Sequence, residues 1–166
     1  MNEVKKVPIS LFIQCKNEEV NIERCLESVD WIDERFVIDS QSTDRTIEIA
    51  EHLGAKVIQF DYKGGWPKKK NWALENLPFS HEWVLILDAD ECLPPEAEEE
   101  IKGIVSNPNE KHSGYWINRR YFFLGKPLKH AYFPNWNLRL FKHKQGRYEK
   151  ITELSTDSGD HEMHEH

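Results

Sequence analysis

The chain has 166 residues, a formal charge of −7, and 39% hydrophobic and 11% aromatic content, which fits one soluble domain with a real core. No apolar run approaches the roughly 20 residues of a membrane span, and the short run from Pro8 to Ile13 meets Lys16-Asn17-Glu18-Glu19 too soon for a secretory signal, so cytoplasmic residence is expected. Cys15, Cys25 and Cys92 show no paired spacing, which argues against a disulfide framework and a Cys-x-x-Cys zinc site and leaves reduced, mostly buried thiols as the expectation.

Ile9–Gln14 reads as a strand. Val20–Val29 puts Ile22, Cys25, Leu26 and Val29 at i, i+3, i+4 and i+7, an amphipathic helix. The turn between them, Gln14 to Glu19, contains no glycine. That excludes a Gly-rich phosphate cradle, so any nucleotide must be held by side chains and metal. For Asn17 and Glu18, helix capping is the plainer alternative. Arg35–Asp39 is a second strand. Asp39 at its end can accept a hydrogen bond from a nucleobase N–H or a ribose hydroxyl, or serve only as a turn residue before Ser40. Ser42-Thr43-Asp44 offers caps to a helix lined by Ile47, Ala50 and Leu53 and stopped at Gly54; Asp44 is better explained as a cap than as a ligand. Lys56–Phe60 is a third strand, Lys63–Pro67 a loop, Lys68–Leu77 a short helix and Trp83–Leu87 a fourth strand. Pro94-Pro95 then opens a Glu-rich helix running to about Val105. This alternation reads as a mostly parallel sheet with helices on both faces.

After Asn109 the pattern changes. Gly114–Phe123, Ala131–Phe133 and Trp136–Lys142 read as strands without intervening helices, an added antiparallel part or a subdomain. Residues 119–150 hold nine Lys/Arg against one acid, Glu149, a net +8 that leaves −15 for the remainder. Ten of the 19 aromatics lie between Tyr115 and Tyr148. Such a stretch suits an anionic partner with flat apolar faces: nucleic acid, an anionic lipid surface or a phosphorylated glycan. A merely solvated basic face is the alternative. Nucleic acid is set aside, because the remainder is acidic and no recognised nucleic-acid motif occurs. Trp116, Tyr132 and Trp136 can stack on sugar rings or pack in the core.

The segment Trp83 to Glu91 ends an apolar run in Asp88-Ala89-Asp90. In extended backbone the i, i+2 spacing sends both carboxylates to one side, at the carboxyl end of a strand, where open α/β sheets bind ligands. Two hard oxygen donors there suit Mg²⁺ or Mn²⁺ carrying a substrate diphosphate. With nine aspartates in the chain, roughly 0.5 such pairs arise by chance, so the position after a strand is what gives the motif weight.

Taken in order, Ile9-Ser10-Leu11-Phe12-Ile13 with Lys16-Asn17-Glu18-Glu19, Val37 to Thr46, Lys70-Asn71 and Leu87-Asp88-Ala89-Asp90-Glu91 resemble glycosyltransferase family 2. The subgroup resembled is the lipopolysaccharide-core type β-glucosyltransferases, through the tract Trp136-Asn137-Leu138-Arg139-Leu140-Phe141 and the later His164-Glu165. The resemblance implies a GT-A (Rossmann-like) α/β fold and an inverting transfer. The donor would be a nucleotide-diphosphate sugar, a UDP-sugar in the first instance, and a divalent metal would assist. The acceptor would be a glycan or lipid-linked molecule of the cell envelope. It implies one domain, with residues 1–109 as nucleotide-sugar-binding half and 110–166 as acceptor-side half, the latter truncated at its C-terminus. Carried over by position, Gln14, Glu18 and Asp39 would face the nucleoside. Lys70, where the family often has Arg, would lie near the base or diphosphate, with Lys68 and Lys69 as substitutes. Asp88 would approach the ribose and metal region, and Asp90 would ligate the metal. Ser40 departs from a second Asp found in many members.

Direct inversion needs one general base opposite the leaving group. The candidates lie in His161–His166: resemblance favours Glu165, with Glu162 second. A zinc site and an unstructured tail are the rival readings of this cluster, although His161-Glu162-Met163-His164 is not His-Glu-x-x-His, its second His falling at i+3. A nucleotide-binding but catalytically inactive or truncated module of the same fold is the alternative function. Peripheral contact with the inner face of the cytoplasmic membrane is compatible with the basic second half.

Overall fold

The computed structural model describes residues 6–64, 66–128, 130 and 133–148. Its main sheet has six strands in the order β3-β2-β1-β4-β8-β5. β1 (Val7–Cys15), β2 (Ile32–Asp39), β3 (Lys56–Gln59) and β4 (Trp83–Asp88) run parallel. β8 (Trp136–Lys142) pairs antiparallel with both β4 and β5 (Gly114–Asn118). Among the described residues beyond Asn109, β5 and β8 thus extend the same sheet as its antiparallel part. The strand expected over Gly114–Phe123 breaks at Asn118, and β6 (Phe122–Phe123) pairs instead with β7 (Lys126–Pro127) in a two-stranded hairpin. Of the expected strand Ala131–Phe133, residues 131 and 132 lie outside the described residues, and Phe133 is in no strand.

The parallel strands alternate faces with period two. Ile9, Leu11 and Ile13 of β1 and Leu85 and Leu87 of β4 enter one core cluster with Ile22, Cys25 and Leu26 of α1 (Ile22–Glu27), Ala50 of α2 (Thr46–His52) and Ile101 of α4 (Pro95–Ser106). Phe12, Val84 and Ile86 enter a second cluster with Ala73 and Leu74 of α3 (Lys69–Asn76). Each fully buried side chain of this size contributes about 1.5–3 kcal/mol, so both faces are sealed.

Two helices differ from expectation. α1 is shorter than Val20–Val29, and Val20 is exposed because it precedes the first helical turn. α2 packs through Ile49, Ala50 and Leu53 rather than Ile47, since positions i, i+1 and i+4 share one side of a helix. Its stop at Gly54 has φ +78°, a left-handed conformation that glycine adopts without a Cβ penalty. Among the described residues no helix is long and apolar enough to cross a membrane.

Candidate active site

β1, β2 and β3 follow one another in one direction across the sheet, whereas β4 lies on the other side of β1. The carboxyl ends of β1 and β4 therefore flank a topological switch point, where open sheets form a ligand crevice. Register brings Gln14 beside Asp88 and Cys15 beside Asp39. By strand parity Gln14 and Asp88 turn to the α3 face, while Cys15 and Asp39 turn to the other.

Gln14 is buried, and its Nε2 donates to Asp88 Oδ1 at 2.9 Å. Arg139, from the middle of β8, is only 3% exposed; its Nη2 donates to Asp88 Oδ2 at 2.7 Å and to Glu91 Oε1 at 3.1 Å. Arg119 Nη1 reaches Glu91 Oε1 at 3.2 Å and Asp88 Oδ2 at 3.5 Å. Two carboxylates and two guanidiniums thus form a compact network. Burial opposes ionisation of Asp88, but the Arg139 charge and hydrogen bond, the Lys70 charge and the Gln14 hydrogen bond outweigh it and hold its pKa down at about 2. Burial and the neighbouring Asp88 charge push Glu91 the other way, above the usual carboxylate range. Two buried atoms of this network, Gln14 Oε1 and Arg139 Nη1, have no hydrogen-bond partner among the described residues. Gln14 Oε1 can therefore accept one further hydrogen bond and Arg139 Nη1 can donate one, the capacity that a polar ligand would use.

The expected pairing of Asp88 with Asp90 on one side is corrected. β4 ends at Asp88. Glu91 N–H bonds back to Asp88 C=O at 3.0 Å, and Glu91 Oε2 accepts Asp88 N–H at 2.8 Å. The chain turns there, so Ala89 is buried and Asp90 is exposed. Asp88 is committed to arginine, while the Asp90 carboxylate has no hydrogen bond or ion pair among the described residues. Among those residues no three carboxylate, imidazole or thiolate side chains are gathered as a metal cluster. The donor set instead fits a hard cation held by one carboxylate plus ligand phosphates and water, the manner usual for Mg²⁺.

α3 delivers three consecutive buried polar residues, Lys69, Lys70 and Asn71. Lys70 Nζ lies 5.2 Å from the Tyr148 ring centroid. Lys69 is fully buried, with Nζ 3.3 Å from the Cys15 carbonyl at the end of β1. Asn71 mimics a strand partner: its Nδ2 donates to Tyr148 C=O and its Oδ1 accepts Tyr148 N–H, each at 3.0 Å. The Tyr148 hydroxyl donates to Leu138 C=O at 2.9 Å, so the segment after β8 is tied across the α3 side of the crevice.

Asp39 and Glu18 sit one strand away. Asp39 is buried; its oxygens accept from Ser42 N–H at 2.9 Å, the Ser42 hydroxyl, Gln59 Nε2 at 3.0 Å and the Cys15 thiol. Burial opposes its ionisation, yet the Ser42 and Gln59 bonds hold its pKa below the usual range. Its turn role is therefore explicit. The Glu18 carboxylate accepts from Asn21 Nδ2 at 2.8 Å. Glu162 and Glu165 lie outside the described residues.

The structure brings Gln14, Lys70 and Asp88 to one crevice, with Asp39 at the end of β2, Glu18 on the loop after β1 and Asp90 on the turn after β4. Sequence reasoning missed Arg139, Glu91 and Arg119. Arg139 was counted with the basic stretch, but the signal was present: a lone charge inside Leu138-Arg139-Leu140-Phe141 requires a buried partner. Lys142 is likewise engaged, 3.1 Å from Glu82, so the stretch is less of a free cationic surface than its count suggests. Trp116 and Trp136 are exposed, not core.

This sheet, with its switch-point crevice and glycine-free first turn, defines a GT-A type α/β fold. The Glycosyl transferase family 2 model matches residues 10–159, and the chain belongs to that family. It is 39% identical over 139 residues to an uncharacterized glycosyltransferase of Rickettsia typhi, covering 82% of this chain and 47% of that protein. It is 32% identical over 155 residues to LpsC of Rhizobium meliloti, a lipopolysaccharide core biosynthesis glycosyltransferase, covering 88% and 55%. The chain thus spans about half the length of these curated relatives. Among solved structures, S. aureus TarS superposes with a TM-score of 0.58 at 22% identity, covering 82% of this chain and 28% of that one, a likeness of fold.

Proposed function

We propose that the chain carries the donor site of an inverting, metal-dependent hexosyltransferase. It would move a sugar from a nucleoside diphosphate, UDP foremost, to a glycan or lipid-linked acceptor in envelope lipopolysaccharide synthesis at the cytoplasmic side of the membrane. The observation that carries this reading is the switch-point network of Gln14, Asp88, Lys70 and Arg139, with two unpartnered buried atoms and an uncommitted Asp90 one turn beyond. Family membership and the likeness to LpsC support the reaction class and the envelope setting. Residues 1–109 would serve the donor and 110–166 the acceptor.

Asp90 would hold the divalent cation, which when bound supplies Lewis-acid stabilisation of the leaving diphosphate. Lys70 adds a point charge on the same side, and Arg139 holds Asp88 ionised and oriented. Gln14, Glu18 and Asp39 would line the nucleoside. In direct displacement the acceptor oxygen bonds to the anomeric carbon as the carbon–oxygen bond to phosphate breaks, its electron pair leaving with the diphosphate. The acceptor proton passes to a carboxylate, Glu165 first and Glu162 second. The second reading is a nucleotide-binding but catalytically inactive module of the same fold, in which the same network would bind the donor without transferring its sugar.

Calorimetric titration of UDP with and without Mn²⁺ tests the donor site. Metal-dependent binding that is lost in Asp90→Ala is expected, and metal-independent binding unchanged by that substitution refutes it. A donor screen reading UDP release separates the readings: release supports transfer, and binding without release supports the module.

A further inference from the structure

The hairpin β6–β7 pairs apart from the main sheet and leaves its apolar side chains exposed. Leu124 and Gly125, with φ of +47° and +75°, form its two-residue turn, a geometry matched to the twist of a tight hairpin. Leu124 at the tip is 86% exposed, and Phe122 and Phe123 are each 64% exposed. Consecutive strand residues face opposite sides, so both faces of this ribbon are apolar and both are bare. A protein surface laid on the ribbon would cover one face and leave the other phenyl in water. A fluid apolar medium covers both.

The charges around it agree. Between Glu110 and Glu149 the sequence contains no acid and nine Lys/Arg. Arg119 and Arg139 are turned inward to Asp88 and Glu91, whereas Arg120 and Lys126, flanking the hairpin, are exposed and form no ion pair among the described residues. Arg120 also lines a cavity of about 190 Å³ at the hairpin base with Pro127, Leu128 and Phe133, one cation set among apolar walls. Aromatic and aliphatic tips with flanking cations are the composition that enters the headgroup boundary of an anionic bilayer.

We propose that the Phe122–Lys126 hairpin inserts into the interface of an anionic lipid bilayer, with Arg120 and Lys126 on the headgroups. Arg119 joins the two sites, since its guanidinium lies 5.6 Å from the Tyr121 ring and also bonds the Asp88–Glu91 pair. Docking thus sets the crevice beside the membrane surface. Lipid binding needs no donor or metal, so it stands or falls apart from the transferase reading.

The test is co-sedimentation of the whole chain with phosphatidylcholine vesicles, with and without phosphatidylglycerol. Wild type is compared with Phe122→Ser/Phe123→Ser and with Arg120→Glu/Lys126→Glu, each checked for an unchanged thermal melt. Wild type should bind the anionic vesicles. The serine pair should weaken partition at least about tenfold, and the charge reversal should abolish the preference for anionic over neutral vesicles. The proposal is overturned if wild type fails to bind anionic vesicles or if the serine pair binds as wild type does. It is also overturned if wild type is a dimer that the serine pair converts to monomers, which would make a second copy the occupant.

Discussion

Arg139 is the residue on which the candidate site is organised. It is nearly fully buried, and its guanidinium faces two carboxylates of which one, Asp88, is held at a pKa of about 2 against an ordinary 3.8. Removing one partner of a buried pair leaves uncompensated charge, which typically costs about 3–5 kcal/mol. Arg139→Met should therefore destabilise the protein by about 3 kcal/mol, read as a lowered urea midpoint at neutral pH. Its pH dependence follows from the sign of the shift. A carboxyl whose folded pKa is depressed stabilises above its unfolded pKa, and that stability is lost as pH falls through the folded value. Wild type should lose about 2 kcal/mol between about pH 4 and pH 2 on this account. Glu91, shifted upward, acts oppositely, and its contribution fades as pH rises through its folded pKa. In Arg139→Met the steep acid limb should flatten. A midpoint equal to wild type, or an acid limb of undiminished slope, contradicts the assignment.

At the scale of elements, the first turn shows how the loops after β1 and β2 are held together without glycine. Asn17, with φ +55°, accepts Thr43 N–H on its Oδ1 at 2.8 Å, and its own N–H bonds the Ser42 hydroxyl at 2.7 Å. Glu18 N–H bonds Thr46 Oγ1 at 2.8 Å, while Glu19 and Arg45 are linked both ways through Asp44 and the Glu19 carboxylate. The loops after β1 and β2 are thus stapled side by side, where Gly-rich motifs would leave bare backbone for phosphate. Asp44 serves two elements, accepting Thr46 N–H at the start of α2 and Glu19 N–H from the other loop. Asp44→Ala should cost about 1–2 kcal/mol, as for loss of a helix cap, whereas Asp44→Asn should retain most of it; the two melting temperatures check this. The cap was legible in Ser42-Thr43-Asp44. The staple was not, because its partners lie some 25 residues apart, as in Asn17–Ser42 and Glu19–Asp44, and nothing in local periodicity reports that distance. A related constraint sits after β8, where a Cβ on Gly146 would collide with the buried Phe141 ring. Gly146→Ala should cost about 1–3 kcal/mol by overpacking, measured by urea unfolding, with the Asn71–Tyr148 bonds loosened.

For the whole molecule, short apolar runs made the four parallel strands legible, helical spacing and cap residues did the same for their helices, and Trp136–Lys142 was bounded as found. Strand order was not legible, because β8 reaches its place between β4 and β5 by a long return that no local pattern encodes. That return also accounts for the missed Asp88 partners: Arg139 becomes its neighbour only once β8 lies against β4. The same topology makes residues 1–109 depend on the described residues that follow them. β4 would be an open edge without β8, and Leu140 and Phe141 of β8 fill the two opposite core clusters. A fragment of residues 1–109 would expose the unpaired edge of β4 and leave Asp88 and Glu91 without Arg139 and Arg119. Losing two large buried side chains at about 1.5–3 kcal/mol each, together with a buried charge pair, removes a large part of the roughly 5–15 kcal/mol by which domains are usually stable. The fragment should therefore melt without a cooperative transition and expose the β4 amides to hydrogen exchange, whereas the whole chain should protect them. A fragment that unfolds cooperatively, with protected Val84 to Ile86 amides, would show instead that residues 1–109 carry their own core and that β8 is an addition to it.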